Sequence, residues 1–415
     1  MRAVRREGML MVLRPRVGLR SSPSTNNKWT TTWVNTYAAV TSTQQTWALE
    51  QQVSLAAVAA PTGNEGPRAR AMQQGLQQAG ARACHLDAVG NVCASFGEGK
   101  DAPLVCLAHL DTVYDAGPPQ DGVVAVHRHA TRLRAPGIGD NSRGLAAMLL
   151  LARVLGLPDV RTQLRRPVHL VATVSEEGEG NLRGARAWFD AAEQRGVVPY
   201  AAVAIDGPGD ESIVHHAVGS HRLRVTVHGD GGHSWVHADA ANPIHVLGEF
   251  IARVSRLGDA RRRDAVVHIT RMQGGESLTG IPQRAWVDVD LRGTSAARID
   301  AVRRELMRLV QQLTPPTLRA EVTIHGDRPA GSLDDAHPLV DAARRATEAV
   351  GVTPRSASAS TDANIPLSRG IPAIAIGAGG CGGGAHTSEE WYDDTTGARG
   401  LTRLLRLVLD LAVTA

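Results

Sequence analysis

The sequence predicts an α/β fold, a three-layer α/β/α domain in two chain segments with a smaller α+β domain inserted between them. Three observations predict it. Short apolar runs at residues 104–109, 168–174, 202–205 and 373–376 read as parallel strands covered on both faces. Segments with helical spacing lie between them, at 142–155 and 182–192, which is the βα alternation of a layered sheet. The middle of the chain changes character. Residues 221–228 and 285–292 alternate apolar and polar, as strands with one buried face do, and are set among helical stretches at 240–257 and 295–313.

Taken in order, residues 1–43 are polar, rich in Ser, Thr and Asn and without periodicity, so they read as a loosely attached or disordered tail. Met9 and Met11 are alternative starts, and the Arg-rich beginning has an apolar run too short for a secretory signal. A first helical pattern begins near Trp47, breaks at Pro61-Thr62-Gly63-Asn64 and resumes from about Gly66. The layered domain then occupies 44–216 and 328–415. The insert spans 217–327, with a strand–helix–strand–strand–helix–strand order of ferredoxin-like type.

Composition bounds the function. With 415 residues and 43% hydrophobic content the chain can build a large core, and 3% aromatics make that core aliphatic. The pI of about 9.1 would suit a nucleic-acid binder, but the net charge is only +4 and no basic stripe with interleaved aromatics occurs. No apolar run reaches membrane-spanning length. Cys84, Cys93, Cys106 and Cys381 show no CxxC spacing, so reduced thiols and a cytoplasmic location are expected, with a Cys84–Cys93 pair across a hairpin left open.

Polar residues fall where ligands collect in such sheets, at the carboxyl ends of the strands. His109 and Asp111 close the first apolar run, Glu176 and Glu177 the second and Asp206 the third; the fourth runs into a glycine-rich loop that ends at His386. Asp140 sits in a tight loop opening the helix at 142. Each alone has an ordinary reading: a structural histidine, a solvated Glu-Glu pair, a helix cap. Together at one sheet edge the carboxylates would repel one another, and a divalent cation resolves that. Oxygen and imidazole donors without thiolate suit zinc, cobalt or manganese.

The strings HLDTV at 109–113, GIGDNSRG at 137–144, SEEGEGNLRGA at 175–185 and AHTSEEW at 385–391 resemble the zinc exopeptidase and deacylase family. That family contains glutamate carboxypeptidase, peptidase T (aminotripeptidase), succinyl-diaminopimelate desuccinylase, acetylornithine deacetylase and carnosinase. The resemblance runs in order from about residue 45 to the end. It implies two metal ions bridged by Asp140, with His109 and Asp206 completing one site and Glu177 and His386 the other. It makes Asp111 the residue that orients His109 and Glu176 the general base toward the attacking water. It also implies a cis peptide between Asp140 and Asn141.

Within the insert, His233 resembles the lid histidine that reaches a partner subunit's active site in dimeric relatives and stabilises the oxyanion. Arg292 resembles the arginine that holds a substrate carboxylate. Thr279 stands in a substrate-contacting loop where many relatives carry Asn, and keeps a hydroxyl without the amide. Ser360-Thr361-Asp362-Ala363-Asn364 resembles a string of peptidase T-like members, which makes Asn364 a substrate-binding candidate. The resemblance implies a dinuclear metallo-exopeptidase acting on small peptides as a homodimer through its lid. An N-acyl amino acid deacylase or desuccinylase is the alternative. A non-catalytic binding module would be marked by loss of Glu176 or a ligand, and none is missing.

Overall fold

Strands with no exposed face need helices on both sides, and the sequence supplies them in alternation. The computed structural model describes residues 28–257 and 264–414. In chain order the elements that build the larger unit are α1 (Lys28–Ala38), α2 (Ser42–Ala56), α3 (Gly66–Gln78), β1 (Ala83–Leu86), β2 (Val92–Phe96), β3 (Leu104–His109), α4 (Ser142–Leu155), β4 (Val168–Thr173), α5 (Arg183–Gln194), β5 (Ala201–Ile205) and β6 (Ser212–Ala217). The insert follows as β7 (Gly219–His228), α6 (Pro243–Val254), β8 (Val266–Gly274), β9 (Arg284–Gly293), α7 (Ala296–Leu313) and β10 (Arg319–Arg328). The chain then returns through β11 (Gly331–Ser332), α8 (Pro338–Glu348), β12 (Arg355–Ala359), β13 (Ala373–Ile376) and α9 (Gly397–Val413).

The large sheet has the order β1-β2-β4-β3-β5-β13-β6-β11, with β12 paired to β6. Its centre, β4-β3-β5-β13, is parallel; β2 and β6 join it antiparallel on either side, and β12 pairs β6 in parallel. Alternate residues of these strands enter two different cores. Leu104, Cys106, Val203 and Ile374 pack with α3, α4, α8 and α9, while Val105, Leu107, Ala202 and Ala373 pack with Trp188 and Phe189 of α5. This is the three-layer fold that the apolar runs predict.

Helix α4 is the most buried helix of the larger unit, and its entry is tightly specified. The Asn141 side chain caps it by accepting the Gly144 N–H. A Cβ on Gly144 would stand 2.5 Å from the Ile205 carbonyl, so only glycine lets the helix start against the end of β5.

The insert carries the sheet order β8-β9-β7-β10, antiparallel throughout, with α6 and α7 on one face. Leu223, Val225 and Val227 of β7 point to those helices, so Ser220, Arg222 and Arg224 point the other way. The chain enters the insert through Val218 alone, between β6 and β7, and leaves it at Pro329-Ala330, between β10 and β11.

Two expectations change. The tail does not extend to residue 43: α1 packs on α9 with Val34 and Ala38 buried in the main core, and α2 starts at Ser42 with a Thr41–Gln44 capping box. The Thr- and Ser-rich look of 28–43 hides this because only a few residues of the segment turn inward. Residues 1–27, with both alternative start methionines, lie outside the described residues. Cys84 and Cys93 do not face each other. Cys84 stands opposite Ala94 and Cys93 opposite His85, so the two thiols lie on opposite faces of the hairpin, and all four cysteines are free. No described helix is long and apolar enough to cross a membrane.

The α1 contact is testable. Val34→Asp places a charge in the core and is expected to cost about 2 kcal/mol in denaturant unfolding; an unchanged midpoint would show that α1 does not contribute to the fold.

Candidate metal centre

Four parallel strands end side by side, and each hands its next residues to one cavity of about 580 Å³. β3 ends on His109, β4 leads through Val174-Ser175 to Glu176 and Glu177, β5 leads to Asp206, and β13 leads into the loop that carries His386. The loop 137–141 brings Asp140 between them, and the Asp140–Asn141 peptide bond is cis.

The two oxygens of Asp140 face different histidines. Oδ1 lies 2.9 Å from His109 Nε2, and Oδ2 lies 3.3 Å from His386 Nε2. Each imidazole has a second carboxylate of its own: Asp206 Oδ1 at 3.8 Å from His109, and Glu177 Oε1 at 3.0 Å from His386. Two clusters therefore share one carboxylate, and ligand atoms of His109, Asp140 and Glu177 lie within 4.8 Å of one another.

The electrostatics follow from this crowding. Burial alone would push the His109 pKa down, but its hydrogen bonds to Asp111, Asp140 and Asp206 outweigh burial and raise it well above the ordinary value. Hydrogen bonds to Asp140 and then Glu177 push His386 up to about 10. Burial acts to raise the half-buried Asp140 carboxyl, yet the two imidazoles hold it below the usual range. Burial raises Asp206, with Asp140 and Glu177 adding to the shift. Three carboxylates and two imidazoles converging at a buried edge fit a pair of divalent cations.

Three buried carboxylates hold the loops by accepting backbone N–H groups. Asp111 accepts from Glu176 and Glu177, both at 2.9 Å, and from the Thr62 hydroxyl at 2.8 Å; its Oδ1 lies 3.6 Å from His109 Nδ1. Glu65 accepts from the Ser175 N–H and hydroxyl, both at 3.0 Å. Glu390 accepts from Gly137, Gly139 and Asp140 at 2.6, 2.8 and 2.8 Å, fixing the Asp140 loop from the segment that follows His386. Burial pushes the Glu390 carboxyl up to about 7, against the pull of those three donors.

Glu176 is buried, and its Oε1 lies 3.1 Å from Arg328 Nη1, while Arg328 Nη2 donates to the Glu176 carbonyl. Burial raises its pKa well above the ordinary carboxylate value and Glu177 adds to this, while Arg328 opposes both. Sequence reasoning missed Glu65, Glu390 and Arg328. The only hint was indirect: the glycine-rich turn at 137–139 has backbone donors that need an acceptor.

The insert residues divide. Arg292 lines the cavity and is paired with Asp290 at 2.8 Å. His233 and Thr279 do not line it; they sit together on an exposed ribbon in which Gly232–His233 pairs with Gly280–Ile281. Asn364 is a correction. It is fully buried, with its amide N–H groups donated to the Val218 and Pro329 carbonyls at 2.8 and 2.9 Å and its oxygen accepting from Thr361 N–H. It clasps both strands that cross into the insert and has no donor left for a substrate. Ser360 and Thr361 of the same segment do line the cavity. Asp362 lies behind it, bonded to the Thr173 hydroxyl, and burial pushes its carboxyl up to about 6.

A family model described as peptidase family M20/M25/M40 matches residues 105–410. Among solved structures, aminopeptidase PepT from Bacillus cereus is similar with a TM-score of 0.71 at 20% identity, over 89% of this chain and 98% of that one. A tripeptidase from Staphylococcus aureus gives 0.72 at 18% over 89% and 98%. The Bacillus subtilis YxeP protein, described as a dinuclear metal-binding peptidase, gives 0.67 at 18% over 90% and 100%. At such identities the likeness is one of fold. A search of curated proteins by sequence finds no significant match.

A metal ion takes the neutral imidazole, so the hydrogen bonds that raise the proton affinity of His109 and His386 make metal uptake compete with protons. Titrating the metal-free protein with zinc or manganese in weak buffer near neutral pH is expected to release protons, and apparent affinity is expected to fall as pH is lowered. Proton-neutral uptake with pH-independent affinity would contradict this competition.

Proposed function

The chain belongs to peptidase family M20/M25/M40, and from that premise we propose that it is a two-metal hydrolase of small peptides, acting as a di- or tripeptidase. The single observation that carries the reading is the shared carboxylate, with Asp140 offering one oxygen to the His109 cluster and the other to the His386 cluster. In this reading His109, Asp140 and Asp206 would hold one ion and His386, Asp140 and Glu177 the other, with zinc first and cobalt or manganese as alternatives. The ions would polarise the scissile carbonyl and lower the pKa of the attacking water.

Glu176 is the general base. Burial raises its proton affinity, and the Arg328 guanidinium keeps the carboxylate form within reach, so one side chain can take a proton from water and pass it to the leaving nitrogen. Asp111 has two tasks: it orients His109 and fixes the backbone of both Glu176 and Glu177. Arg292, at the cavity wall, takes the substrate's terminal carboxylate through its guanidinium fork.

His233 and Thr279 act from a second copy of the chain. Their ribbon lies off their own cavity and is flanked by Trp235, 85% exposed, and by the exposed Val236 and Leu278. An apolar patch around a ribbon that carries a candidate oxyanion donor suits an interface between lids, taken as residues 217–327. The free thiols fit a cytoplasmic setting.

Glu176→Gln is expected to lower turnover of di- and tripeptides by about 10²–10⁴-fold while metal content stays at the wild-type level. Mixed dimers of His233→Ala and Glu176→Gln chains should regain activity that neither parent has. A Glu176→Gln protein with wild-type turnover would remove the base assignment, and confirmed mixed dimers without recovery would place His233 outside the partner's reaction.

A further inference from the structure

The face of the insert sheet that looks into the cavity carries three arginines in adjoining positions, and only one of them has a role above as a substrate contact. The strand register sets their arrangement. Ser220 on β7 stands opposite Arg292 of β9 on one side and opposite Arg328 of β10 on the other, so those two arginines flank one serine across three strands. Arg222 is two residues along β7 on the same face, opposite Asp290 and Gly326. Neighbouring strands lie about 4.8 Å apart and one face repeats roughly every 7 Å, so the three guanidiniums share a single patch.

Two of the three have a charged partner. Arg292 is paired with Asp290, and Arg328 with Glu176. Among the described residues Arg222 has no carboxylate partner of its own; its Nη1 donates to the Gly178 carbonyl at 2.6 Å, and its Nε is buried without a hydrogen-bond partner. A cradle holds it in place. A Cβ on Gly326 would lie 3.0 Å from Arg222 Nε and 3.2 Å from Cζ, so the opposing strand keeps a glycine where the guanidinium crosses it. Burial first, then repulsion from Arg328 and Arg292, lowers the Arg222 pKa, against the pull of Asp290 and Glu176.

We infer that Arg222 forms a second anion subsite beside Arg292, and that the preferred substrate carries an acidic residue on the leaving side of the scissile amide. The terminal carboxylate goes to Arg292 and the side-chain carboxylate of a glutamate or aspartate to Arg222, one rung away. This rests on the amide-hydrolase reading and narrows its substrate class. A neutral residue at that position would leave the Arg222 guanidinium, which lines the cavity, without an anion, which is a discriminating arrangement.

The test uses paired peptides that differ only in glutamate or glutamine as the leaving residue. The metal-loaded wild type is expected to favour the glutamate substrate by about tenfold or more in kcat/KM, mainly through KM. Arg222→Gln should bring the ratio close to one, and Arg222→Lys should keep part of it. Product inhibition needs no variant: free glutamate should inhibit the wild type at about a tenth or less of the glutamine concentration required. A wild-type ratio near one, or a preference that survives Arg222→Gln, overturns the subsite while leaving the hydrolase reading intact. Hydrolysis of neither peptide, nor of any other di- or tripeptide, overturns the hydrolase reading and the subsite with it.

Discussion

Asp140, Glu177 and Asp206 are brought together at a buried sheet edge where carboxylates repel one another, and the surrounding structure answers that repulsion. Two imidazoles answer it, each placed between a carboxylate of its own and the shared Asp140. Such a cluster would be costly to bury for stability alone. It is intelligible as a place kept ready for cations. The parallel strands deliver the donors, because β4, β3, β5 and β13 end at the same edge, and two loops complete the set.

Those loops lie outside the strand ladders, so their backbone donors need other acceptors. Glu65, Asp111 and Glu390 provide them, and each ties a segment bearing a site residue to a distant part of the chain. Glu390 binds the Asp140 loop to the His386 segment, which keeps the shared carboxylate and the second imidazole in register. Asn364 does the same kind of work at the junction with the insert, bonding to both crossing strands at once. Arg328 then joins the end of the last insert strand to Glu176. The insert and the base are thereby in direct contact.

Much of this was legible in the sequence, for a physical reason. Strands buried on both faces leave no doubt about their apolar character, and a charged residue at their carboxyl end stands out against it. His109, Glu176, Glu177, Asp206 and His386 are all conspicuous for that reason, and α4 begins at Ser142 as its spacing indicates. The acceptors were not legible, because Glu65 and Glu390 take their importance from backbone groups far away in sequence. Asn364 was read as a substrate contact because its segment resembles a functional string, whereas its amide is spent on the junction. Helix α1 was missed because so much of its segment faces outward. The arginine patch was hidden for a different reason: Arg222, Arg292 and Arg328 sit on three separate strands, and only the register brings them side by side.

The central claim is that one carboxylate serves two cations. It is tested most directly by anomalous diffraction from crystals of the metal-loaded protein. The account predicts two anomalous peaks flanking the Asp140 carboxylate, one beside His109 and Asp206 and the other beside His386 and Glu177. A single peak, or peaks that leave Asp140 uncoordinated, would contradict it.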